Sequence, residues 1–184
     1  MQTTLKMALL VLSVLLAACR SDPVHYHTLT PLVAGTPRAT TGTGNLTIER
    51  VTVPPQVDRT QIVVRQGSNG LAILETEWWG ASLADELHSA LVDQLERRTF
   101  TTRASLRVQV QRFDLVPGGY ALLGVTWRLR SGQKDNGGRE IHCQATLQTA
   151  AGDAVEALVM AQQNNLQRAA ALIADSASGQ CPPA

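Results

Sequence analysis

Histidines, carboxylates, one serine and the cysteines are the side chains here that could carry chemistry, so their spacing is decisive. His25 and His27 stand two apart, which puts both on one face of an extended strand, and such a pair can clip a metal. No further ligand stands near them in sequence, and the plain alternative is a surface or packing role. His88 falls inside a helical pattern beside Leu87, at the edge of the apolar stripe. His142 completes the set of four. Glu75 and Glu77 share a strand face, and solvent-facing strand charge is the ordinary explanation of that. Ser68 lies in Gly67-Ser68-Asn69-Gly70, which lacks the Gly-x-Ser-x-Gly spacing and the strand-to-helix setting of a nucleophile elbow. Gly42-Thr43-Gly44 is not followed by a helix pattern and makes a poor phosphate loop. No zinc spacing and no Ser/His/Asp set emerges. The reading is a non-catalytic protein with no cofactor and no metal.

Cys19 is different. It ends Leu16-Ala17-Ala18-Cys19, after Lys6 and an apolar run from Met7 to Ala18 broken only by Ser13. The run is shorter than the ~20 apolar residues that span a bilayer, and its charge order fits an export signal. Small residues before the cut suit a narrow protease pocket, and the Cys thiol is the nucleophile that takes up diacylglycerol. The segment resembles a lipobox. We expect residues 1–18 to be a signal peptide and Cys19 to become the lipidated N-terminus. The alternative is an ordinary signal followed by an incidental Cys. Arg20 and Ser21 come next, and the absence of Asp there favours the outer membrane. Beyond the inner membrane the surroundings are oxidising, so Cys143 and Cys181 are expected to form a disulfide rather than two separate thiols. Closing that loop stabilises by about 3–4 kcal/mol in the chain-entropy model.

The 16 basic and 15 acidic residues give a net charge of +1. With Lys6 in the signal, the remainder balances, and there is no basic excess to hold nucleic acid. No other apolar stretch is long enough to cross a membrane. Residues 19–44 read as a lipidated N-terminus, a first strand around Tyr26-His27-Thr28-Leu29 and a flexible Gly/Thr/Pro loop. Residues 45–184 form the rest of one globular domain.

The elements that position these residues follow from periodicity. Leu46 to Val53 alternates with period two, and Pro54-Pro55 ends that strand. Gln61–Arg65 and Leu71–Thr76 are short strands joined by the Gly67-Ser68-Asn69-Gly70 turn. Ser82–Arg98 is a helix with Leu83, Leu87, Leu91 and Leu95 on one stripe, Ser82 as N-cap and Asp85 three residues on. Strands over 106–110, 120–130 and 140–149 are separated by Pro117-Gly118-Gly119 and by a turn at 133–138, which reads as an antiparallel meander. Asp153 is expected to cap a second helix carrying Val155, Leu158, Val159, Leu166, Ala169, Ala170 and Ile173. The order β-β-β-β-α-β-β-β-α predicts an α/β fold: a mixed β-sheet with an antiparallel meander and two long packed helices.

Two blocks carry a family resemblance. One runs Val53-Pro54-Pro55-Gln56-Val57-Asp58-Arg59-Thr60-Gln61-Ile62-Val63-Val64-Arg65. The other is Glu77-Trp78-Trp79-Gly80-Ala81-Ser82-Leu83, just before the helix. With Tyr26-His27-Thr28-Leu29 after the lipidated Cys, they resemble the PqiC-like auxiliary lipoproteins of ABC-type transporters, over most of the chain beyond Cys19. One departure is visible: the family more often has an aromatic-Leu pair before Asp-Arg, where this chain has Gln56-Val57. The resemblance implies an outer-membrane lipoprotein facing the periplasm, which docks a periplasmic MCE-domain protein working with inner-membrane transporter subunits to move lipid. It also implies a homo-oligomer. Asp58, Arg59, Trp78 and Trp79 are the expected partner-binding residues. For Asp58 and Arg59 a local turn salt bridge is the competing reading, and adjacent Trp residues on an extended segment predict one in the core and one at an interface. Rival functions are a lipid-tethered periplasmic hydrolase and a lipoprotein that assists outer-membrane β-barrel assembly.

Overall fold

The computed structural model describes residues 22–32, 44–132 and 139–183. The signal segment, Cys19, residues 33–43 of the Gly/Thr/Pro loop and the turn at 133–138 lie outside the described residues. Among the described residues, seven strands and two long helices follow in chain order: β1 (His25–His27), β2 (Leu46–Thr52), β3 (Gln61–Gln66), β4 (Gly70–Trp79), α1 (Leu83–Glu96), β5 (Ala104–Val116), β6 (Tyr120–Ser131), β7 (Arg139–Ala150) and α2 (Val155–Asp175). This is the α/β class that the element order predicts.

The strands form two sheets, not one. A three-stranded sheet has the order β1-β4-β3, and a four-stranded sheet has the order β2-β5-β6-β7. Pairing is mixed in both. β1 runs parallel to β4, and β2 runs parallel to β5, while β3–β4 and β5–β6–β7 are antiparallel. The meander is thus one part of a mixed arrangement. Pro54-Pro55 marks where the chain changes sheet: proline offers no N–H to a ladder, so β2 cannot run on into β3 as a paired neighbour.

Two bulges reset the face pattern. Register shifts between Ile48 and Arg50, and the adjacent charges Glu49 and Arg50 are both exposed. Register shifts again between Val110 and Arg112, leaving both Gln111 and Arg112 exposed before Phe113 and Leu115 return to the core. Opposite that second bulge stands Gly124, where an added Cβ would come 3.2 Å from the Cβ of Arg112. A bulge needs such room on the partner strand.

Helix α1 is shorter than Ser82–Arg98 by the ends alone and spans roughly 21 Å. The Ser82 hydroxyl oxygen accepts from the Asp85 amide at 3.3 Å, which satisfies one of the free N–H groups of the first turn. Leu83, Leu87, Leu91 and Leu95 are all buried. The cap of α2 differs from expectation. Ala154 holds the N-cap position with no side-chain bond, and the Asp153 carboxylate turns instead to the β5–β6 turn. Gly118 there has φ 68°, and a Cβ on it would meet Asp153 Oδ1 at 2.5 Å. The glycine is needed both for its left-handed backbone and for the space.

Helix α2 is stapled to the four-stranded sheet by fully buried amides. Gln162 Nε2 donates to the Leu122 carbonyl at 3.1 Å, and Asn165 Nδ2 donates to the Ala121 carbonyl at 3.0 Å. Thr149 then donates to Asn165 Oδ1 at 2.7 Å. Each buried amide therefore has its partner, as burial requires. The two sheets are cross-linked by Asp114, which is 5 % exposed. It accepts from Arg65 of β3 at 2.7 Å and from Arg112 of β5 at 2.6 Å. A disulfide joins Cys143 of β7 to Cys181, with Cα atoms 5.5 Å apart, and fastens the C-terminal tail to the edge of its sheet. No described helix is long and apolar enough to cross a membrane.

Candidate functional site

The corner from Pro54 to Thr60 is built by its backbone. The Val57 amide donates to the Pro54 carbonyl at 3.1 Å, and Arg59 N–H donates to the Val57 carbonyl at 2.9 Å. Val57 is buried and pins the corner, which leaves Asp58 exposed and Arg59 half-buried. Neither side chain forms a salt bridge with another described residue, so a turn ion pair is not what holds them. Arg59 Nε is shielded from solvent yet has no hydrogen-bond partner. A buried donor left in this way costs about 1–3 kcal/mol.

Strand β4 brings both tryptophans to this corner. They end the strand rather than standing in a turn. Trp79 is 2 % exposed and packs edge-on against Phe113, with ring centroids 6.1 Å apart. It belongs to the core. Trp78 points the other way, donates its indole N–H to the Glu75 carbonyl at 2.9 Å and is half-buried. Its Cα partners are Gln61 on β3 and Tyr26 on β1. Tyr26 is 68 % exposed and lies edge-on to Trp78 at 6.3 Å. Arg59, Trp78 and Tyr26 are thus placed by one three-stranded sheet and the corner that feeds it. Tyr26 was not among the expected partner residues, because only the parallel pairing of β1 with β4 brings it beside Trp78.

The same pairing explains the two histidines. His25 Nδ1 lies 3.0 Å from Glu77 Oε1, and His27 Nε2 lies 2.5 Å from Glu77 Oε2. One carboxylate bridges both imidazoles. The hydrogen bonds from His25 and then His27 hold Glu77 below the usual carboxylate range, and Glu77 in turn raises the pKa of His25. The cluster fastens β1 to β4. Among the described residues no group of three or more His, Cys, Asp or Glu side chains is arranged to hold a metal ion.

Beyond β1 the chain is held harder still. Gly80 N–H donates to the His27 carbonyl at 2.9 Å. The buried Glu86 of α1 accepts at one oxygen from both the Thr28 hydroxyl and the Leu29 amide, each at 2.8 Å. Gln163 of α2 donates to the Thr28 carbonyl at 3.0 Å, and Leu29 is fully buried. Glu86 stands at a stripe position of α1, and a charged residue on an apolar stripe is the sequence signal that could have found it.

A family model described as ABC-type transport auxiliary lipoprotein component matches residues 27–174. No curated protein matches the sequence. Among solved structures, a crystal structure of an uncharacterised protein is 19 % identical with a TM-score of 0.66, covering 84 % of this chain and 99 % of its own. A Xanthomonas campestris protein of the family DUF330 is 12 % identical with a TM-score of 0.60, covering 84 % of this chain and 95 % of its own. At such identities these two establish a shared fold alone.

Proposed function

The chain belongs to the ABC-type transport auxiliary lipoprotein family, and from that premise we propose that it is the outer-membrane docking component of an MCE-type intermembrane lipid transport system. In this reading it is non-catalytic, is anchored through acylated Cys19 and faces the periplasm. It binds a periplasmic MCE-domain protein that works with inner-membrane transporter subunits, and it does so as a homo-oligomer. The observation that carries the docking role is the Arg59–Trp78–Tyr26 surface. Trp78 and Tyr26 pack edge-on on one sheet, the corner that carries Arg59 is bonded to the end of that sheet, and Arg, Trp and Tyr are the residue types that dominate interface hot spots. Trp79 lies beneath that surface and supports it from the core. Asp58 adds an exposed carboxylate at its rim.

The test is capture of the full-length lipidated chain from membranes in mild detergent, for wild type, Arg59→Ala, Trp78→Ala and Trp79→Ala. Wild type should bring down an MCE-domain protein. Arg59→Ala and Trp78→Ala should lose it while keeping the thermal midpoint. Trp79→Ala should instead lower the midpoint, since emptying a buried Trp site costs about 3–5 kcal/mol. Capture of a β-barrel assembly protein in place of the MCE protein, or substrate turnover with no partner, would overturn the proposal.

A further inference from the structure

The outer face of the four-stranded sheet carries a row of three arginines and one histidine from edge to edge. Arg50 of β2 is the Cα partner of Arg107 on β5, Arg107 of Arg128 on β6, and Arg128 of His142 on β7. Strands lie about 4.8 Å apart, so the row is roughly 14 Å long. Like charges directly opposite one another on a sheet face destabilise it. Here three arginines stand in line with a histidine at the end, on a face whose opposite side holds Leu106, Val108 and Leu129 in the core. Two carboxylates offset part of the charge: Glu49 pairs with Arg107, and Glu140 contacts Arg128 at 3.6 Å and His142 at 2.9 Å. Arg50 has no side-chain partner among the described residues, while Arg130, one row away, faces Glu140 across the β6–β7 ladder. The face therefore keeps an excess of positive charge.

The row lines an open depression of about 760 Å³. Beside the cations runs a second row of neutral hydrogen-bonding groups, Thr52, Gln109, Thr126 and Gln144, again one from each strand. The apolar lining is confined to Val108, Trp127 and the Cys143–Cys181 disulfide, and Val108 and Trp127 are each only 3 % exposed. There is no apolar channel here for an acyl chain.

We propose that this depression binds the headgroup of an anionic phospholipid, with the phosphodiester on the arginine row and the headgroup hydroxyls on the amide and hydroxyl row. Planar guanidiniums match phosphate oxygens in bidentate fashion. The hydroxyl and amide row beside the arginines can bond the hydroxyls of a polyol headgroup, which favours a polyol phosphodiester over an acidic peptide. The acyl chains remain outside the depression. This names a lipid class for the transport role and so rests on that reading.

The test uses full-length lipidated protein in neutral detergent micelles doped with dioleoyl phosphatidylglycerol, with bound lipid counted by native mass spectrometry. Expected is saturable binding that weakens at high salt, and competition by sn-glycero-3-phosphoglycerol. Arg50→Ala removes a lining side chain with no partner among the described residues, and it should bind at least tenfold more weakly with an unchanged thermal midpoint. Arg107→Ala/Arg128→Ala should lose more. The proposal is overturned if these variants bind as wild type does. It is equally overturned if dioleoyl phosphatidylcholine binds as tightly, if inorganic phosphate competes as well as the glycerophosphodiester, or if polyglutamate does. Capture of the MCE protein by the same variants separates the two ideas. Retained capture with no defect in lipid binding removes only the headgroup site, whereas lost capture by wild type removes the docking role.

Discussion

Glu86→Ala should loosen the N-terminal segment from the body, and the size of the effect can be worked from its two bonds. Glu86 is 8 % exposed, and one of its oxygens takes both the Thr28 hydroxyl and the Leu29 amide at 2.8 Å. A hydrogen bond to a charged group contributes roughly 1.5–3 kcal/mol, and an orphaned buried donor costs about 1–3 kcal/mol. The Thr28 hydroxyl is part-buried and can recover a water, while the Leu29 amide is sealed beneath a fully buried side chain. Loss of about 3 kcal/mol follows, dominated by Leu29. For a chain of this size that lowers the thermal midpoint by roughly 6–12 °C. Glu86→Gln keeps a carbonyl oxygen at the same place and should cost only about 1 kcal/mol. Urea unfolding followed by circular dichroism measures the difference, and hydrogen exchange at the Leu29 amide localises it. An Ala variant within ~0.5 kcal/mol of wild type, with Leu29 exchange unchanged, would refute the reasoning.

Two further outcomes can be checked. Cys143→Ser/Cys181→Ser opens a loop with a sequence separation of 38, which should cost about 4 kcal/mol in the chain-entropy model and shift the guanidinium midpoint accordingly. An unchanged midpoint would show that the tail contributes nothing to stability. The His25–Glu77 contact should make the stability gap between wild type and Glu77→Gln depend on pH. The raised His25 pKa gives stabilisation that is complete below 6.5 and lost as pH rises through the raised value. The lowered Glu77 pKa gives stabilisation that is complete above 4.5 and lost as pH falls through the lowered value. The gap should therefore be widest between 4.5 and 6.5, and small in size because His25 is largely exposed. A gap that stays flat from pH 5 to pH 9 would contradict it.

Local elements were legible in the sequence where the period was unbroken. The four-residue recurrence of Leu83, Leu87, Leu91 and Leu95 gives α1 and its buried face, and Ser82 gives its start. β5 was legible only as far as Val110, because the bulge before Arg112 shifts the apolar phase and hides the continuation to Val116. β2 hides a similar shift: Leu46 and Ile48 are in one phase, Val51 and Val53 in the other. Asp153 has the right type for an N-cap, yet its carboxylate goes to the space over Gly118. Tertiary room decided that, and the local sequence does not contain it. The site was less legible than the fold. Arg59 and Trp78 stand out by type, but Tyr26, Glu77 and Glu86 join the assembly only through β1–β4 pairing and helix packing. The cation row depends on the register of four strands, and residue spacing along one chain carries no register.

The latch on Thr28 and Leu29 has a consequence for reach. For a chain anchored at Cys19 as proposed, the leash is measured from the anchor to the first residue the body holds. With β1 docked, that residue is His25, and six residues extend at most roughly 20 Å. Should His25 and His27 let go of Glu77 while Glu86 keeps its grip, the holding point moves to Leu29, and the limit grows to roughly 35 Å. The strand is thus a folded reserve of leash, and Glu86 is its stop. For a chain so anchored, one short strand would set two working distances of the body from its membrane.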